Sequence, residues 1–99
     1  MKISEYLSEG AKGAKTSKEL REFLRMTDCE LREAIRAERM NGVPICSRTR
    51  TDESGRAGYF MPVTDAEYLQ TIKSLKSRER EIRTVRKALE TAFRNKQGA

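Results

Sequence analysis

The stretch TSKELREFLRMTDCELREAIRAERMNG, residues 16–42, decides the fold that the sequence predicts. It holds two capping boxes, Thr16-Ser17-Lys18-Glu19 and Thr27-Asp28-Cys29-Glu30. In a capping box the threonine hydroxyl accepts a hydrogen bond from a backbone N–H three residues on, and the glutamate side chain reaches back. Two such starts so close together predict two short helices with a tight turn between them, the first beginning at Ser17. The second helix is expected to span Asp28 to Met40 and to end at Asn41-Gly42.

The segments on either side of this stretch follow different patterns. Ile3, Tyr6 and Leu7 recur at helical spacing and predict a short helix before a Gly/Lys loop at residues 10–13. After Gly42 the period changes, and residues 43–47 and 58–63 look like two strands. The polar residues between them predict a hairpin with a long basic tip.

A third capping box, Thr64-Asp65-Ala66-Glu67, opens the last segment. Neither Gly nor Pro occurs between Ala66 and Gln97, so a helix is expected from Thr64 to Lys96, a rod on the order of 50 Å long. The sequence therefore predicts a domain at residues 1–63 and a long helix at residues 64–97. The fold class is mainly α, with a small β-hairpin and a long C-terminal helix.

This element order is typical of a winged helix-turn-helix, in which the second helix of the turn pair enters the DNA major groove and the hairpin contacts the backbone or minor groove. Residues 3–64 resemble the winged-helix domain of biotin-ligase-type repressors, and resemble more closely small winged-helix proteins of phages and prophages of Gram-positive bacteria. Repressors of the ligase type usually have Leu where this chain has Glu38. The resemblance rests on four runs: Thr16-Ser17-Lys18-Glu19-Leu20, Leu31-Arg32-Glu33-Ala34-Ile35-Arg36, Gly42-Val43-Pro44-Ile45-Cys46-Ser47 and Gly58-Tyr59-Phe60.

Several arginines of the predicted motif are candidates for DNA contact. Arg32 and Arg36 lie one turn apart, opposite the apolar stripe of the second helix, where they could bond guanine edges or clamp phosphates. The alternative is a solvated face with ion pairs to Asp28 or Glu33, and the charged hairpin tip could equally serve to prevent aggregation. The predicted DNA-binding residues are Ser17, Lys18, Thr27, Asp28, Cys29, Arg32, Glu33, Arg36, Arg48, Arg50 and Arg56.

Glu38 falls inside the apolar stripe of the second helix. An unpaired carboxylate there would be costly, so it is expected to have a partner. The nearby cations are Arg21, Arg25 and Arg39. A structural ion pair is the favoured interpretation.

The terminal helix carries a long apolar seam, which Arg78 and Glu79 interrupt midway. The part through Leu75 is expected to pack on the domain, whereas the part from Ile82 onward lies beyond the reach of so small a domain. An exposed seam favours a homodimer through this helix, either parallel or antiparallel. The predicted oligomerisation residues are Leu75, Ile82, Val85, Leu89, Ala92 and Phe93.

The composition of the 99 residues limits the function further. His is absent and only two Cys occur, which removes the commonest general base and leaves too few thiolates for a tetrahedral metal site. We therefore expect neither an enzyme nor a cofactor or metal. No signal peptide or apolar run long enough for a membrane span is found, which favours a cytoplasmic protein with reduced thiols.

The predicted function is that of a phage or prophage transcriptional regulator that binds double-stranded DNA as a dimer. The net charge of +6 is compatible with this but does not establish it. Two alternatives stay open. One is a phage packaging or replication accessory protein similar to a small terminase subunit. The other is a protein-interaction adaptor built on a winged-helix scaffold.

Overall fold

The structure is a computed structural model that describes residues 2–53 and 55–98. Within these residues the regular elements are helices α1 (Ser17–Leu24) and α2 (Asp28–Met40), strands β1 (Cys46–Arg48) and β2 (Gly58–Phe60), and helix α3 (Asp65–Gly98). Two 3₁₀ turns, Ile3–Tyr6 and Ala11–Gly13, precede α1. The predicted mainly helical fold with a small hairpin and a long C-terminal helix is confirmed.

All three predicted capping boxes are formed. Thr16 and Glu19 exchange hydrogen bonds of 3.1 Å in both directions, and Thr27 and Glu30 do the same at 3.2 and 2.9 Å. The third box, at the start of α3, closes with two bonds of 3.3 Å. The tight turn between α1 and α2 places Arg25 in the left-handed region, with φ 54°. A left-handed residue at this position lets the chain reverse and satisfies the last carbonyls of α1.

The predicted helix at Ile3 to Leu7 and the predicted strands are only partly right. The first segment is a 3₁₀ turn, and the Gly/Lys loop contains the second 3₁₀ turn. The strands are shorter than predicted. Val43 N–H bonds back to the carbonyl of Glu38, so pairing begins only at Cys46. Beyond Phe60, Met61 pairs with the N-terminal segment at Glu9 and not with β1.

Strand β2 has neighbours on both sides. It pairs with β1 in antiparallel register, with Cys46 opposite Phe60. On its other edge, Lys15 N–H donates to the carbonyl of Tyr59 at 3.0 Å, and Tyr59 N–H donates to the carbonyl of Lys15 at 2.7 Å. The residue before the cap of α1 therefore extends the hairpin by a single antiparallel bridge.

The core forms where the N-terminal turn, α1, α2 and the segment before β1 meet. Phe60 lies in a second small cluster beneath the Ala11–Gly13 turn. Burying these side chains is the main source of stability in so small a domain. The larger cluster consists of Ile3, Leu20, Leu31, Ile35 and Ile45.

Glu38 does not pair with an arginine, and this part of the prediction is wrong. Its carboxylate accepts hydrogen bonds from the backbone N–H groups of Ile3, at 2.6 Å, and Ser4, at 3.1 Å. The first N–H groups of a helical turn have no partner within the turn, so a carboxylate from α2 can cap it. Arg39 instead donates from Nε to the carbonyl of Ile45 at 2.9 Å.

We expect Glu38→Ala to lower the free energy of unfolding by about 1–3 kcal/mol, because two partly buried N–H groups lose their acceptor. Urea titration followed by tyrosine fluorescence measures this. Glu33→Ala is the matched control, since Glu33 lies on the same helix but is exposed and forms a surface ion pair with Arg36. Equal effects of the two substitutions would contradict the capping role of Glu38.

Helix α3 is fixed to the domain at its first two turns. Glu67 accepts from the N–H groups of Val63, at 2.7 Å, and Ala11, at 2.9 Å. The Val63 bond contributes most to holding the pKa of Glu67 below its ordinary value, while partial burial opposes it. Thr71, which is buried, bonds to the backbone N–H and carbonyl of Ser47 in β1.

The rest of α3 is largely exposed. Tyr68, Ile72 and Leu75 cover the segment before β1 but keep 41%, 44% and 40% of their surface accessible. The predicted packing through Leu75 is thus a partial one, anchored by Thr71. Across residues 2–53 and 55–98, no helix combines the length and hydrophobicity that crossing a bilayer requires.

Candidate nucleic-acid interface

The outer face of α2 presents two arginines held by neighbouring carboxylates. Arg32 pairs with Asp28 at 3.0 Å and Arg36 pairs with Glu33 at 3.3 Å. Both arginine side chains remain exposed, by 74% and 66%. Exposed ion pairs of this kind contribute only about 0–1 kcal/mol, so either arginine can exchange its carboxylate for an external anion at small cost.

Asp28 connects the starts of the two helices. Besides Arg32, it accepts a hydrogen bond of 3.4 Å from the hydroxyl of Ser17 and lies 3.9 Å from Nε of Arg21. The predicted DNA-binding residues Ser17 and Asp28 thus make these contacts with other residues of the same chain. Their role in this arrangement is to hold α1 against α2 and to orient Arg32.

An open groove lies between α2, β2 and α3, and four arginines line it. None of the described residues that line this groove is acidic, although Asp28 and Glu33 pair with two of its arginines from outside the lining. Arg32 and Arg36 reach it from α2, and Arg78 reaches it from α3. The groove is therefore a concentration of positive charge that also contains apolar side chains, which suits a phosphate or a base edge. Its lining consists of Arg32, Ile35, Arg36, Arg39, Met40, Tyr59 and Arg78.

Arg39 is the most buried of the four arginines that line this groove. Its Nη2 atom is buried and has no hydrogen-bond partner among the described residues. Burial lowers the pKa of Arg39 from its ordinary value, and the charge of Arg78 acts in the same direction. A half-buried guanidinium that has an unpaired Nη2 and lies next to a second cation is stabilised by an anion in the groove.

Two further grooves continue this surface toward the hairpin. One of them adjoins the groove beside α2 and shares Tyr59 and Arg78 with it, and it also includes Ser17 and Arg48. The other shares Arg48 and adds Arg50 and the acidic residue Asp52, together with residues of α3. We call the surface formed by Arg32, Arg36, Arg39, Arg48, Arg50 and Arg78 the basic face.

The hairpin tip does not project freely, which corrects the expected long basic wing. The N–H of Arg56 donates to the carbonyl of Ala11 at 2.9 Å, and a Cβ on Gly55 would lie 2.6 Å from that of Ala11. Glycine at position 55 thus lets the loop fold against the Ala11–Gly13 turn. The side chain of Arg48 is nearly buried and pairs with Asp52 at 3.0 Å.

The other predicted DNA-binding residues do not line these grooves. Arg56 pairs with Glu19 of α1 at 3.2 Å. Lys18, Thr27 and Cys29 do not line any of the three grooves as the structure describes them. Thr27 serves as the cap of α2. Of the predicted set, the structure brings together Ser17, Arg32, Arg36, Arg48 and Arg50.

No family model, curated protein or solved structure matches this chain.

Sequence reasoning missed three polar residues that line the groove beside α2: Arg39, Tyr59 and Arg78. In the sequence, Arg78 stands out only as a residue that interrupts the apolar seam of α3. One signal could have found it: Arg78 falls seven residues after Thr71, on the side of α3 that contacts β1. Nothing comparable in the sequence indicates that Tyr59 lines the same groove as Arg78 and α2.

Proposed function

We propose that this protein is a winged-helix regulator of transcription that binds double-stranded DNA through the basic face. Helix α2 acts as the recognition helix, with Arg32 and Arg36 directed at base edges in the major groove. Arg39, Arg50 and Arg78 hold the phosphate backbone, while Arg48 stays paired with Asp52. The observation that carries the proposal is the convergence of four arginines, without an acidic side chain among the described lining residues, on one groove beside α2.

The arrangement of elements supports the same proposal. Helices α1 and α2 are joined by a tight turn at Arg25, and a hairpin follows α2. Lys15 adds a third short strand segment beside β2, just before α1. A helix-turn-helix backed by a small antiparallel sheet is the arrangement that winged-helix proteins use to present the second helix to DNA.

Duplex DNA is favoured over an acidic protein partner because the arginines are spread over three adjoining grooves. A compact acidic peptide could cover one groove, whereas a duplex backbone follows an extended path. Arginine also matches phosphate geometry with two parallel hydrogen bonds.

Binding to duplex DNA is expected to weaken steeply with salt. If Arg39, Arg50 and Arg78 each neutralise one phosphate, the logarithm of the association constant falls with the logarithm of salt concentration with a slope of about −2.7. Duplexes selected from a random pool, labelled and titrated by fluorescence anisotropy at several KCl concentrations, measure this slope. The same sequences as single strands serve as the control.

A salt-independent affinity, or equal affinity for single strands, would contradict the proposal. A flat slope accompanied by capture of a protein partner would instead favour the adaptor function.

A further inference from the structure

The distal half of α3 carries an apolar stripe that no other described part of the chain covers. Ile82, Val85, Leu89 and Phe93 are 67%, 58%, 71% and 59% exposed. They lie on a helix that continues to Gly98, well past Thr71, where α3 is buried on the domain. An apolar stripe of this size on a charged chain marks an interaction surface.

The stripe lies on the same side of α3 as the domain. At about 100° per residue, the four stripe residues point within about 40° of the direction of Thr71. Thr71 contacts β1, so the domain and the stripe share one side of the helix, one after the other along its axis. Whatever covers the stripe must therefore be elongated and must stop where the domain begins.

We propose that the occupant is α3 of a second copy of this chain, packed antiparallel. In a parallel pair, the domain of each copy would occupy the space needed by the first turns of the other α3. In an antiparallel pair centred between Lys87 and Ala88, the last turn of one α3 reaches the level of Arg78 of the other, about one turn past Leu75, which covers the segment before β1. The two domains then lie at opposite ends of the pair.

The stripe is matched to itself in this orientation. With the centre between residues 87 and 88, Ile82 lies level with Phe93 of the second copy, and Val85 lies within one residue of the level of Leu89. The large side chain of Phe93 thus packs against the branched aliphatic side chain of Ile82 at both ends of the seam, which keeps the packing even along its length. The predicted seam residue Ala92 lies at its edge, where a small side chain allows close approach.

One pair of charges beside the middle of the stripe is complementary in the same register. Arg86 and Glu90 lie along one edge of the stripe and pair within the chain at 2.6 Å. A twofold axis across an antiparallel pair places this edge beside its own copy. Arg86 of each chain then faces Glu90 of the other, so four charges of alternating sign surround the axis.

Cysteine cross-linking tests the orientation, in a Cys29→Ser background because Cys29 is exposed and Cys46 is buried. A chain with Ile82→Cys mixed with a chain with Phe93→Cys should give a disulfide-linked dimer. Each variant alone should not, since its two cysteines lie about 16 Å apart along the axis. Cross-linking of either variant alone, or a monomeric or ring-sized mass by light scattering, would overturn the proposal.

Charge reversal tests the register without DNA, and so separately from the proposed function. Arg86→Glu should raise the dimer dissociation constant about tenfold, and adding Glu90→Arg should restore it. Arg83→Glu is the matched control: it also breaks a pair within α3, with Glu79 at 3.5 Å, but Arg83 points about 120° from the direction of Thr71, twice as far as Arg86. Equal effects of Arg83→Glu and Arg86→Glu, or no recovery in the double variant, would refute the register.

Discussion

Gly58→Ala is expected to lower the free energy of unfolding by about 3 kcal/mol or more, the largest effect of any single substitution proposed for this chain. Gly58 has φ +131°, a conformation that side chains rarely adopt. A Cβ there would overlap the carbonyl group of Lys15 and would lie 2.9 Å from the backbone nitrogen of Thr16. Both neighbours are backbone atoms, so they cannot move aside without breaking the bridge between Lys15 and β2.

Gly42→Ala separates the two causes of this loss, which are backbone strain at a positive φ and overlap of the Cβ with Lys15. Gly42 has φ +88°, but apart from its own neighbours in the chain none of the described residues has an atom within 4 Å of the position that a Cβ would take. Alanine there meets backbone strain alone, so we expect a loss of about 1 kcal/mol. Tyrosine fluorescence during urea unfolding measures both variants, because the exposed length of α3 would dominate circular dichroism. A loss no larger at Gly58 than at Gly42 would refute the close approach of Lys15.

The second large effect is expected on DNA affinity. Arg36→Ala should weaken binding to a preferred duplex by about 1–3 kcal/mol if the arginine bonds a base edge, and should weaken binding to random duplexes less. Arg32→Ala should behave in the same way. Arg50→Ala should weaken binding to all duplexes alike, because its proposed contact is with the backbone.

Arg78→Ala extends this test to α3. Its proposed partner is a phosphate, so affinity for every duplex should fall and the salt slope should become shallower by about one. Arg80→Ala is the matched control, since Arg80 is nine positions beyond Thr71 and points to the opposite side of α3. Unchanged affinity in the Arg78 variant would remove α3 from the interface. Equal losses on random and preferred DNA for Arg32→Ala and Arg36→Ala would refute base reading by α2.

Much of the fold could be predicted because its strongest signals are local. Each capping box lies within four consecutive residues, and the absence of breakers after Ala66 is visible in the sequence alone. These features decide where α1, α2 and α3 begin. The same signals place Arg32 and Arg36 on the outer face of α2.

The features that were missed depend on backbone groups far away in the sequence. Glu38 accepts hydrogen bonds from Ser4 and Ile3, which lie 34 and 35 residues away in the sequence. The donors are backbone N–H groups, which every residue except proline carries. The hairpin tip folds onto Ala11 for a similar reason. Arg78 joins α2 only because α3 crosses β1 at Thr71. Side-chain patterns carry no information about such backbone partners.

The hydrogen bonds of Glu67 fix one end of α3, so a small change of angle there produces a large displacement at the other end. Its carboxylate accepts hydrogen bonds from the N–H groups of Ala11 in the domain and of Val63 just before α3, so it fixes the first turn of the helix in place. Phe93 lies about 39 Å farther along the helix, and a swing of about 10° at Glu67 would carry it sideways by about 7 Å. Glu67 and Thr71 together therefore set the angular precision with which the far end of α3 is held relative to the domain.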